Sequence, residues 1–461
     1  MDTDKCHPCS SVFIRGSPMN FDFNCPTRIV FGPGRFAELG ELTASVVEGR
    51  RALVVSDPGV EKVGHTQRGV DTLAAAGFDT LVFDGLQENP TTDNVAAGVA
   101  VAKEFRPDVL VAIGGGSSMD CCKGINFIHS CGGRMQDYWG VGKATAPMLP
   151  MVAAPTTAGT GSEAQSFALI SDAQTHAKMA CGDKRAAFRI AVLDPELTLT
   201  QPPRVTALTG VDAIAHTVET LVSKKRNQLS MALSREAWRL LVQGFRRVLE
   251  DPADLTARGW VQQGACFAGL AIENSMLGAA HALANPLTAS YGVVHGEAVG
   301  LMLPHVVRHN AANDTGCEIA YGELHAEVDH FENPDPESAI EELVEVLTGV
   351  AREGGLANRL ADLDVHRDRL PALAADAARQ WTGTFNPVEM SEQDSLQPYD
   401  AASLFSRAET QSRRGWESDR FLCVSASRRD SDRDGVDGQR RLALREGRIA
   451  VSRRRGLLDR R

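Results

Sequence analysis

Short apolar runs alternate with helix-like stretches over the first third of the chain, from about residue 24 to residue 154. The run 51–56 is rich in β-branched residues and stops at the turn-forming Asp57-Pro58-Gly59. Runs of the same character occupy residues 80–83, 108–113 and 148–154. All are too uniformly apolar for strands with one face in water. The alternation therefore predicts an α/β domain with a parallel sheet covered by helices on both faces.

The pattern changes after about Pro195, where apolar residues recur at intervals of three and four. We find no strand pattern there and predict an all-α domain with helices at 204–222, 229–249, 261–284, 338–353 and 370–383. Beyond about Leu404 the periodicity ends. The predicted organisation is an N-terminal extension (1–20), a dinucleotide-binding α/β domain (21–195), a helical domain (196–402) and an Arg-rich, disordered tail (403–461).

Charge is distributed unevenly along the 461 residues, whose formal net charge is −11. Residues 407–461 contain 16 Arg, no Lys and nine acidic residues, a net charge of +7, which leaves −18 on the rest. An acidic body disfavours nucleic acid as the main partner. The basic tail could still bind nucleic acid, but its interleaved acidic residues and scarce aromatics favour a solvated extension.

The ten cysteines have no repeating spacing, so we expect free thiols in a reducing cytoplasm rather than a disulfide framework. No run of about 18 apolar residues exists that would span a membrane. The first twenty residues also lack the apolar core of a signal peptide. These features predict a cytoplasmic protein without a membrane segment.

Two polar, glycine-rich segments follow directly after predicted strands. Gly114-Gly-Gly-Ser-Ser-Met-Asp120 offers backbone amides and a helix N-terminus to a phosphate, although Met119 breaks the Gly-x-Gly-x-x-Gly fingerprint. Pro155-Thr-Thr-Ala-Gly-Thr-Gly-Ser-Glu163 supplies hydroxyls and amides suited to a pyrophosphate or ribose. Either segment alone is compatible with a simple polar turn. Together, at one edge of a parallel sheet, they favour a nucleotide site.

Asp57 ends a predicted strand, where a carboxylate can accept both ribose hydroxyls of NAD and repel the 2′-phosphate of NADP. It precedes the first glycine-rich segment, whereas in the ordinary Rossmann pattern the acidic residue follows the glycines. An aspartate that starts the turn at Pro58-Gly59 is an equally good interpretation.

The strongest chemical pattern combines one carboxylate with three imidazoles. Asp212 and His216 are four residues apart, on one face of a predicted helix. His281 lies in another apolar helix, and His295 is predicted in a turn before Gly296. Such a set suits Fe²⁺ or Zn²⁺ with one position open for substrate. About one net positive charge would remain there, enough to polarise a bound alcohol.

These motifs, in this order, resemble the iron-containing (group III) alcohol dehydrogenases over residues 21 to 402. Phe31-Gly-Pro-Gly34, Asn89-Pro-Thr91, Lys178-Met and Leu193-Asp-Pro-Glu196 add to the resemblance. It implies a two-domain fold like that of dehydroquinate synthase and a homodimer or larger homo-oligomer. It also implies that Asp212, His216, His281 and His295 are the metal ligands. The residues that it implies for the NAD site are Asp57, Asn89, Gly115, Gly116, Ser117, Ser118, Thr156, Thr157, Thr160 and Lys178.

One position departs from the family pattern inside the implied site. Many members read His-x-x-x-His-Pro-Leu-Gly, with the second histidine near the substrate and credited with proton relay. This chain has Asn285 there, within His281-Ala-Leu-Ala-Asn285-Pro-Leu-Thr288. Asparagine can form hydrogen bonds but does not titrate near neutral pH, so the resemblance implies a substrate-proximal Asn285 without that acid–base role.

The sequence thus predicts a metal-dependent, NAD-linked enzyme that oxidises a small primary alcohol or diol, or reduces the aldehyde. The alternative is a lyase or cyclase of the dehydroquinate synthase type, which would need several basic side chains for a phosphorylated substrate. Between His281 and His295 there is no Lys or Arg, which favours a small uncharged substrate.

Overall fold

The structure is a computed structural model that describes residues 20–326 and 336–404. Nearly all of the predicted N-terminal extension and of the predicted Arg-rich tail lie outside the described residues. None of the described helices combines the length and apolarity that crossing a lipid bilayer requires.

A six-stranded, entirely parallel sheet forms the centre of the N-terminal half, as the sequence predicts. The strands are β1 (Arg28–Phe31), β2 (Arg51–Val55), β3 (Asp79–Phe83), β4 (Val109–Gly114), β6 (Met151–Pro155) and β9 (Ile190–Leu193). Their order across the sheet is β1-β9-β6-β4-β2-β3. Because the strands run parallel, the carboxyl ends of β2, β4 and β6, and the polar residues that follow each of them, lie at one edge of the sheet.

Helices cover both faces of this sheet. In β2, Leu53 and Val55 point to one core, and Ala52 and Val54 point to the other. All four side chains are fully buried, and burial of each Leu or Val contributes about 1.5–3 kcal/mol. The covering helices are α1 (Leu39–Ala44), α2 (Pro58–Lys62), α3 (His65–Ala75), α4 (Thr92–Phe105) and α5 (Gly116–Cys131).

A second, three-stranded sheet was not predicted from the sequence. Its order is β5-β8-β7, with β5 (Gly140–Val141) parallel and β7 (Phe167–Ser171) antiparallel to β8 (Lys178–Gly182). In β7 the burial alternates, with Ala168 and Ile170 buried and Leu169 exposed. This half-exposed pattern differs from the continuous apolar runs that identify the central strands.

The C-terminal half is helical, and no strand is present among its described residues, 196–326 and 336–404. Its core surrounds Trp238, Phe245 and Leu283, all fully buried. The helices are α6 (Pro203–Val222), α7 (Gln228–Glu250), α8 (Leu255–Ser275), α9 (Ala279–Tyr291), α10 (His295–Asn313), α11 (Thr315–Ala326), α12 (Pro336–Glu353), α13 (Leu370–Ala377) and α14 (Glu392–Leu404). Turns of 3₁₀ helix lie at Arg35–Glu38, Met135–Tyr138, Ser162–Ala164, Lys184–Ala186, Pro195–Thr200, Leu360–Leu363, Arg367–Arg369 and Trp381–Phe385.

Two helix predictions and one turn prediction in this half were wrong in detail. The single helix predicted for 261–284 is two helices, because Met276 adopts φ 64° and ψ 171°, a conformation outside the helical region. The helix predicted for 370–383 ends at Ala377, and a 3₁₀ turn, Trp381–Phe385, follows it. His295, predicted in a turn, is the first residue of α10.

Candidate metal and dinucleotide site

A cavity of about 740 Å³ lies at the carboxyl edge of the six-stranded sheet, between the sheet and the helical half. Cavities of this size are typical of cofactor and small-molecule sites. Two predicted site residues, Ser118 and Asn285, are not among the described residues that line it. The predicted residues that do line it are Asp57, Asn89, Gly115, Gly116, Ser117, Thr156, Thr157, Thr160, Lys178, Asp212, His216, His281 and His295.

The first glycine-rich segment forms the turn from β4 into α5. Gly115 caps α5 without any side-chain hydrogen bond, so the first backbone amides of the helix remain available on the cavity side. A Cβ on Gly116 would lie only 2.7 Å from Cγ2 of Thr160. Glycine at this position therefore lets the two polar segments meet. The geometry is that of an anion cradle at a helix N-terminus.

Asp57 combines the two functions that its position predicts. One carboxylate oxygen, Oδ1, caps α2 by accepting the amides of Gly59 (3.0 Å) and Val60 (3.1 Å). The other oxygen, Oδ2, accepts a 3.1 Å hydrogen bond from the fully buried Ser118 hydroxyl. Ser118 thus orients Asp57 from behind the cavity wall, and the Asp57 carboxylate itself lines the cavity.

Asn89 and Lys178 reach the same cavity from outside the glycine-rich segment. The backbone amide of Asn89 donates a hydrogen bond to the Ser117 hydroxyl (3.2 Å). This bond joins the turn before α4 to the start of α5. Burial lowers the pKa of Lys178, while the carboxylates of Asp120, Asp212 and Glu88 act in the opposite direction. Lys178 therefore places an amine among acidic groups on the cavity wall.

Behind the second polar segment lies a fully buried lysine that sequence reasoning missed. Lys123 Nζ donates to the Ser162 carbonyl (2.7 Å), the Ser162 hydroxyl (2.8 Å) and the Phe167 carbonyl (2.7 Å). Ser162 in turn donates to Asp120 at 2.6 Å. Each buried hydrogen bond of a charged group contributes about 1.5–3 kcal/mol, so Lys123 holds this segment firmly against α5.

The three predicted imidazoles converge on one carboxylate oxygen. Asp212 and His216 are one turn apart on α6, while His281 lies on α9 and His295 begins α10. Nε2 lies 3.5 Å from Oδ1 of Asp212 in His216 and in His281, and 4.0 Å in His295. Tetrahedral ligands at about 2.1 Å from an ion are about 3.4 Å apart, so this spacing is close to that of a metal site.

The chemistry of these donors also fits a divalent cation. Oδ1 of Asp212 and Nε2 of His281 are buried and have no hydrogen-bond partner in the described protein. Leaving such groups unpaired is costly, and a bound ion would satisfy both. Asp212, His216 and His281 each present a ligand atom within 4.8 Å of the others.

Glu219 is the main residue of this centre that sequence reasoning missed. Its Oε2 accepts a 2.5 Å hydrogen bond from Nδ1 of His281, and its Oε1 accepts the Ala280 amide at 2.6 Å. With its proton on Nδ1, His281 directs the Nε2 lone pair toward Asp212. Glu219 is seven residues after Asp212, on the same face of α6, so helical spacing could have identified it.

Electrostatics within the cluster favour an ionised Asp212. Burial acts to raise the pKa of Asp212, but the imidazoles of His216, His281 and His295 outweigh burial and hold that pKa below its usual range. Burial acts to lower the pKa of His281, but Glu219 and Asp212 raise it to about 9. A cation that binds here must therefore displace a proton from His281.

Asn285, for which the resemblance implies a position near the substrate, is not among the described residues that line the cavity. Its amide Nδ2 donates to Oε1 of Gln380 at 3.1 Å, in the stretch between α13 and the following 3₁₀ turn. It lies one turn after His281 on α9, one residue beyond the end predicted for this helix at residue 284.

Comparison with known proteins identifies the chain. The family model described as "Iron-containing alcohol dehydrogenase" matches residues 26–195, and that described as "Fe-containing alcohol dehydrogenase family, C-terminal" matches residues 206–403. The chain belongs to the iron-containing alcohol dehydrogenase family. It is 32% identical to the 1,3-propanediol dehydrogenase of Klebsiella pneumoniae over 376 residues, which cover 81% of this chain and 96% of the relative.

Solved structures of this family have the same fold. A 1,3-propanediol oxidoreductase superposes with a TM-score of 0.79 at 31% identity, covering 83% of this chain and all of the other. The sulfoacetaldehyde reductase of Bifidobacterium kashiwanohense, solved in complex with NAD⁺, gives a TM-score of 0.76 at 26% identity, covering 84% and 100%. Family membership makes the chain an alcohol/aldehyde oxidoreductase, and the alternative of a lyase or cyclase is not favoured.

Proposed function

We propose that the protein transfers hydride between NAD and a small primary alcohol or diol, or the corresponding aldehyde. The observation that carries the proposal is the convergence of three Nε2 atoms on Asp212 Oδ1, in the same cavity that the N-terminus of α5 lines. One cavity thus joins an anion cradle to a metal-binding cluster. In domain terms, residues 21–195 would bind the dinucleotide and residues 196–402 the metal.

Asp212, His216, His281 and His295 would hold Fe²⁺, or Zn²⁺ as an alternative. When bound, the ion supplies Lewis acidity toward the alcohol or aldehyde oxygen. The chain contributes the orientation of its ligands, since Glu219 fixes the tautomer of His281 and the α6 backbone fixes the spacing of Asp212 and His216. Asn285 would contribute through its hydrogen bond to Gln380, since neither residue is among the described residues that line the cavity.

The dinucleotide would lie along the part of the cavity that the N-terminus of α5 lines. Its pyrophosphate fits the free amides at Gly115 and Gly116, and Thr156, Thr157 and Thr160 offer hydroxyls beside them. Asp57 would accept ribose hydroxyls, and its charge disfavours a 2′-phosphate. Ser117, Asn89 and Lys178 complete the predicted contacts, with Ser118 acting through Asp57.

An uncharged substrate suits the remaining wall of the cavity. Phe167, Leu169, Ile272 and Leu277 line it with apolar side chains. Two described Lys or Arg residues line the cavity, Lys178 and Arg204, and Arg204 is paired with Glu297 at 2.7 Å. We also propose a homo-oligomer in the cytoplasm; the seven described cysteines, all free thiols, are consistent with a reducing compartment.

The deciding experiment is anaerobic metal loading followed by an NADH assay. Purified protein, stripped with a chelator and reloaded with Fe²⁺ or Zn²⁺, is given NAD and a panel of short alcohols and diols. We expect metal-dependent NADH formation that is lost in Asp212→Ala and kept in Asp93→Ala, a substitution in α4 outside the cavity lining. Equal activity in stripped and reloaded protein, or in Asp212→Ala, would refute the metal-site proposal.

A further inference from the structure

A short segment of the helical half runs alongside the helix that carries His281. At one end, Gln380 accepts a hydrogen bond from Asn285 at 3.1 Å. At the other end, Oδ1 of Asn386 accepts the Ala279 amide at 3.2 Å. Between them Gly383 packs so closely on α9 that a Cβ there would lie 3.3 Å from Cβ of Ala282. Residues 380–386 are thus fixed along the part of α9 that contains His281.

From this segment Trp381 extends to the α/β half of the molecule. Its ring stacks on Phe167 of β7, with centroids 6.0 Å apart and planes inclined by 27°. The rings of Phe385 and Trp381 pack edge to face, with centroids 5.5 Å apart. Nζ of Lys225 lies 4.7 Å from the centroid of the Phe385 ring, in a cation–π contact. Offset-stacked and edge-to-face rings attract each other beyond the effect of burial alone, so these aromatic contacts connect the two halves at a defined place.

Phe167 is the member of this bridge that lines the cavity. Its backbone carbonyl is held by the buried Lys123, and its ring lies flat against Gly182 of the neighbouring strand. A Cβ at Gly182 would come within 2.4 Å of that ring. The ring is therefore confined by Gly182 on the strand side and by Trp381 on the helical side.

We propose that Trp381 is a specificity-determining positioning residue that fixes Phe167 as the apolar end wall of the alcohol pocket. The pair limits the length of the carbon chain that the cavity admits, and the bond from Asn285 to Gln380 keeps Trp381 in place. Asn285, where many relatives have histidine, thus serves packing rather than proton transfer. The inference rests on the proposed alcohol oxidation and adds to it the size class of the substrate.

The test compares n-propanol with n-hexanol in the metal-loaded enzyme. In Trp381→Ala the ratio of kcat/KM for n-hexanol to that for n-propanol should rise on the order of tenfold, mainly through KM, since one methylene admitted to an apolar pocket changes kcat/KM by about tenfold or more. Trp381→Phe keeps a ring against Phe167 and should retain the wild-type ratio. Trp139→Ala, which removes an exposed tryptophan outside the cavity, is the matched control. Phe167→Leu shortens the proposed wall residue itself, in β7. This variant replaces Trp381→Ala in the test if Trp381→Ala does not fold.

Calorimetric binding of the two alcohols to the metal-loaded protein with NADH gives a readout that does not depend on turnover. A rise in n-hexanol affinity in Trp381→Ala, with n-propanol affinity unchanged, supports the inference. An unchanged preference in both Trp381→Ala and Phe167→Leu overturns it. A wild-type protein that binds both alcohols but forms no NADH would instead refute the proposed function.

Discussion

Nδ1 of His281 lies 2.5 Å from Oε2 of Glu219, and both side chains are almost fully buried. This contact joins α6, which carries Asp212 and His216, to α9, which carries His281. Because Glu219 also accepts the Ala280 amide, it fixes both the ring and the backbone of the His281 turn. One carboxylate outside the four predicted ligands thus fixes His281 relative to the helix that carries Asp212 and His216.

Glu219→Gln should weaken metal affinity by about 10–100-fold, because a neutral amide oxygen accepts the hydrogen bond from Nδ1–H of His281 more weakly than a carboxylate does. Competition with a chromophoric chelator measures this affinity. Glu236→Gln, at an exposed position on α7, is the control and should leave it unchanged. Wild-type affinity in Glu219→Gln would show that the carboxylate serves only the fold.

Metal uptake should become stronger as pH rises toward about 9, because the pKa of His281 is raised to about 9 in the metal-free cluster and a cation competes with that proton. The measurement is a calorimetric titration of stripped protein with Zn²⁺ between pH 6 and pH 9. Repeating it in two buffers of different ionisation enthalpy gives the number of protons released on binding. Uptake without any proton release would contradict the assignment of His281 as a ligand.

Asp57→Asn should raise the use of NADP relative to NAD with little loss of stability. Asparagine is as good a helix cap as aspartate, so the bonds to Gly59 and Val60 can persist while the negative charge disappears. The ratio of kcat/KM for the two cofactors and the Tm measure both effects. A constant cofactor ratio would leave Asp57 as a capping residue alone. Asp57→Ala should also lose about 0.5–2 kcal/mol of stability through the missing cap.

Met276→Gly should stabilise the protein by about 1–2 kcal/mol, because φ 64° with ψ 171° costs a residue with a Cβ about 1–3 kcal/mol and glycine almost nothing. Met276→Ala keeps the Cβ and is the matched control, expected to gain nothing. Urea unfolding of the stripped proteins compares them. Equal unfolding free energies of the two variants would show that the backbone conformation of Met276 does not reduce stability.

Stability should fall as the solution is acidified, partly through His305 in α10. Burial, with help from Arg308, lowers the pKa of His305 from 6.5 to about 4, so its contribution is complete above pH 6.5 and is lost as pH falls toward 4. The full linkage is on the order of 3 kcal/mol. The difference in unfolding free energy between the wild type and His305→Gln should shrink over this interval. A difference independent of pH would exclude His305 as the titrating group.

Much of the central sheet could be predicted from the sequence, since β2, β4 and β6 are continuous apolar runs followed by polar turns. The hairpin of β7 and β8 escaped because its half-exposed residues, such as Leu169, interrupt the apolar run. The break between α8 and α9 was also not predicted. No proline marks it in the sequence, and the helix ends because the backbone of Met276 leaves the helical conformation.

The ligand positions were accessible to sequence reasoning because Asp212 and His216 are neighbours on one helix. Their convergence with His281 and His295 was implied by resemblance, and the structure brings all four to one cavity. The contact between Trp381 and Phe167 joins positions more than two hundred residues apart. No local pattern encodes such a pairing, and tertiary packing alone reveals it.

The antiparallel pair of β7 and β8 has a consequence for how such enzymes diversify. Phe167, which faces the proposed alcohol, and Lys178, which faces the proposed dinucleotide, belong to one contiguous hairpin that ends at Gly182. Exchanging residues 167–182 between relatives would therefore alter a wall residue of the alcohol pocket and a dinucleotide contact together, whereas Trp381 and Asp57, which lie outside the hairpin, would stay unchanged. The metal ligands on α6, α9 and α10 would remain untouched.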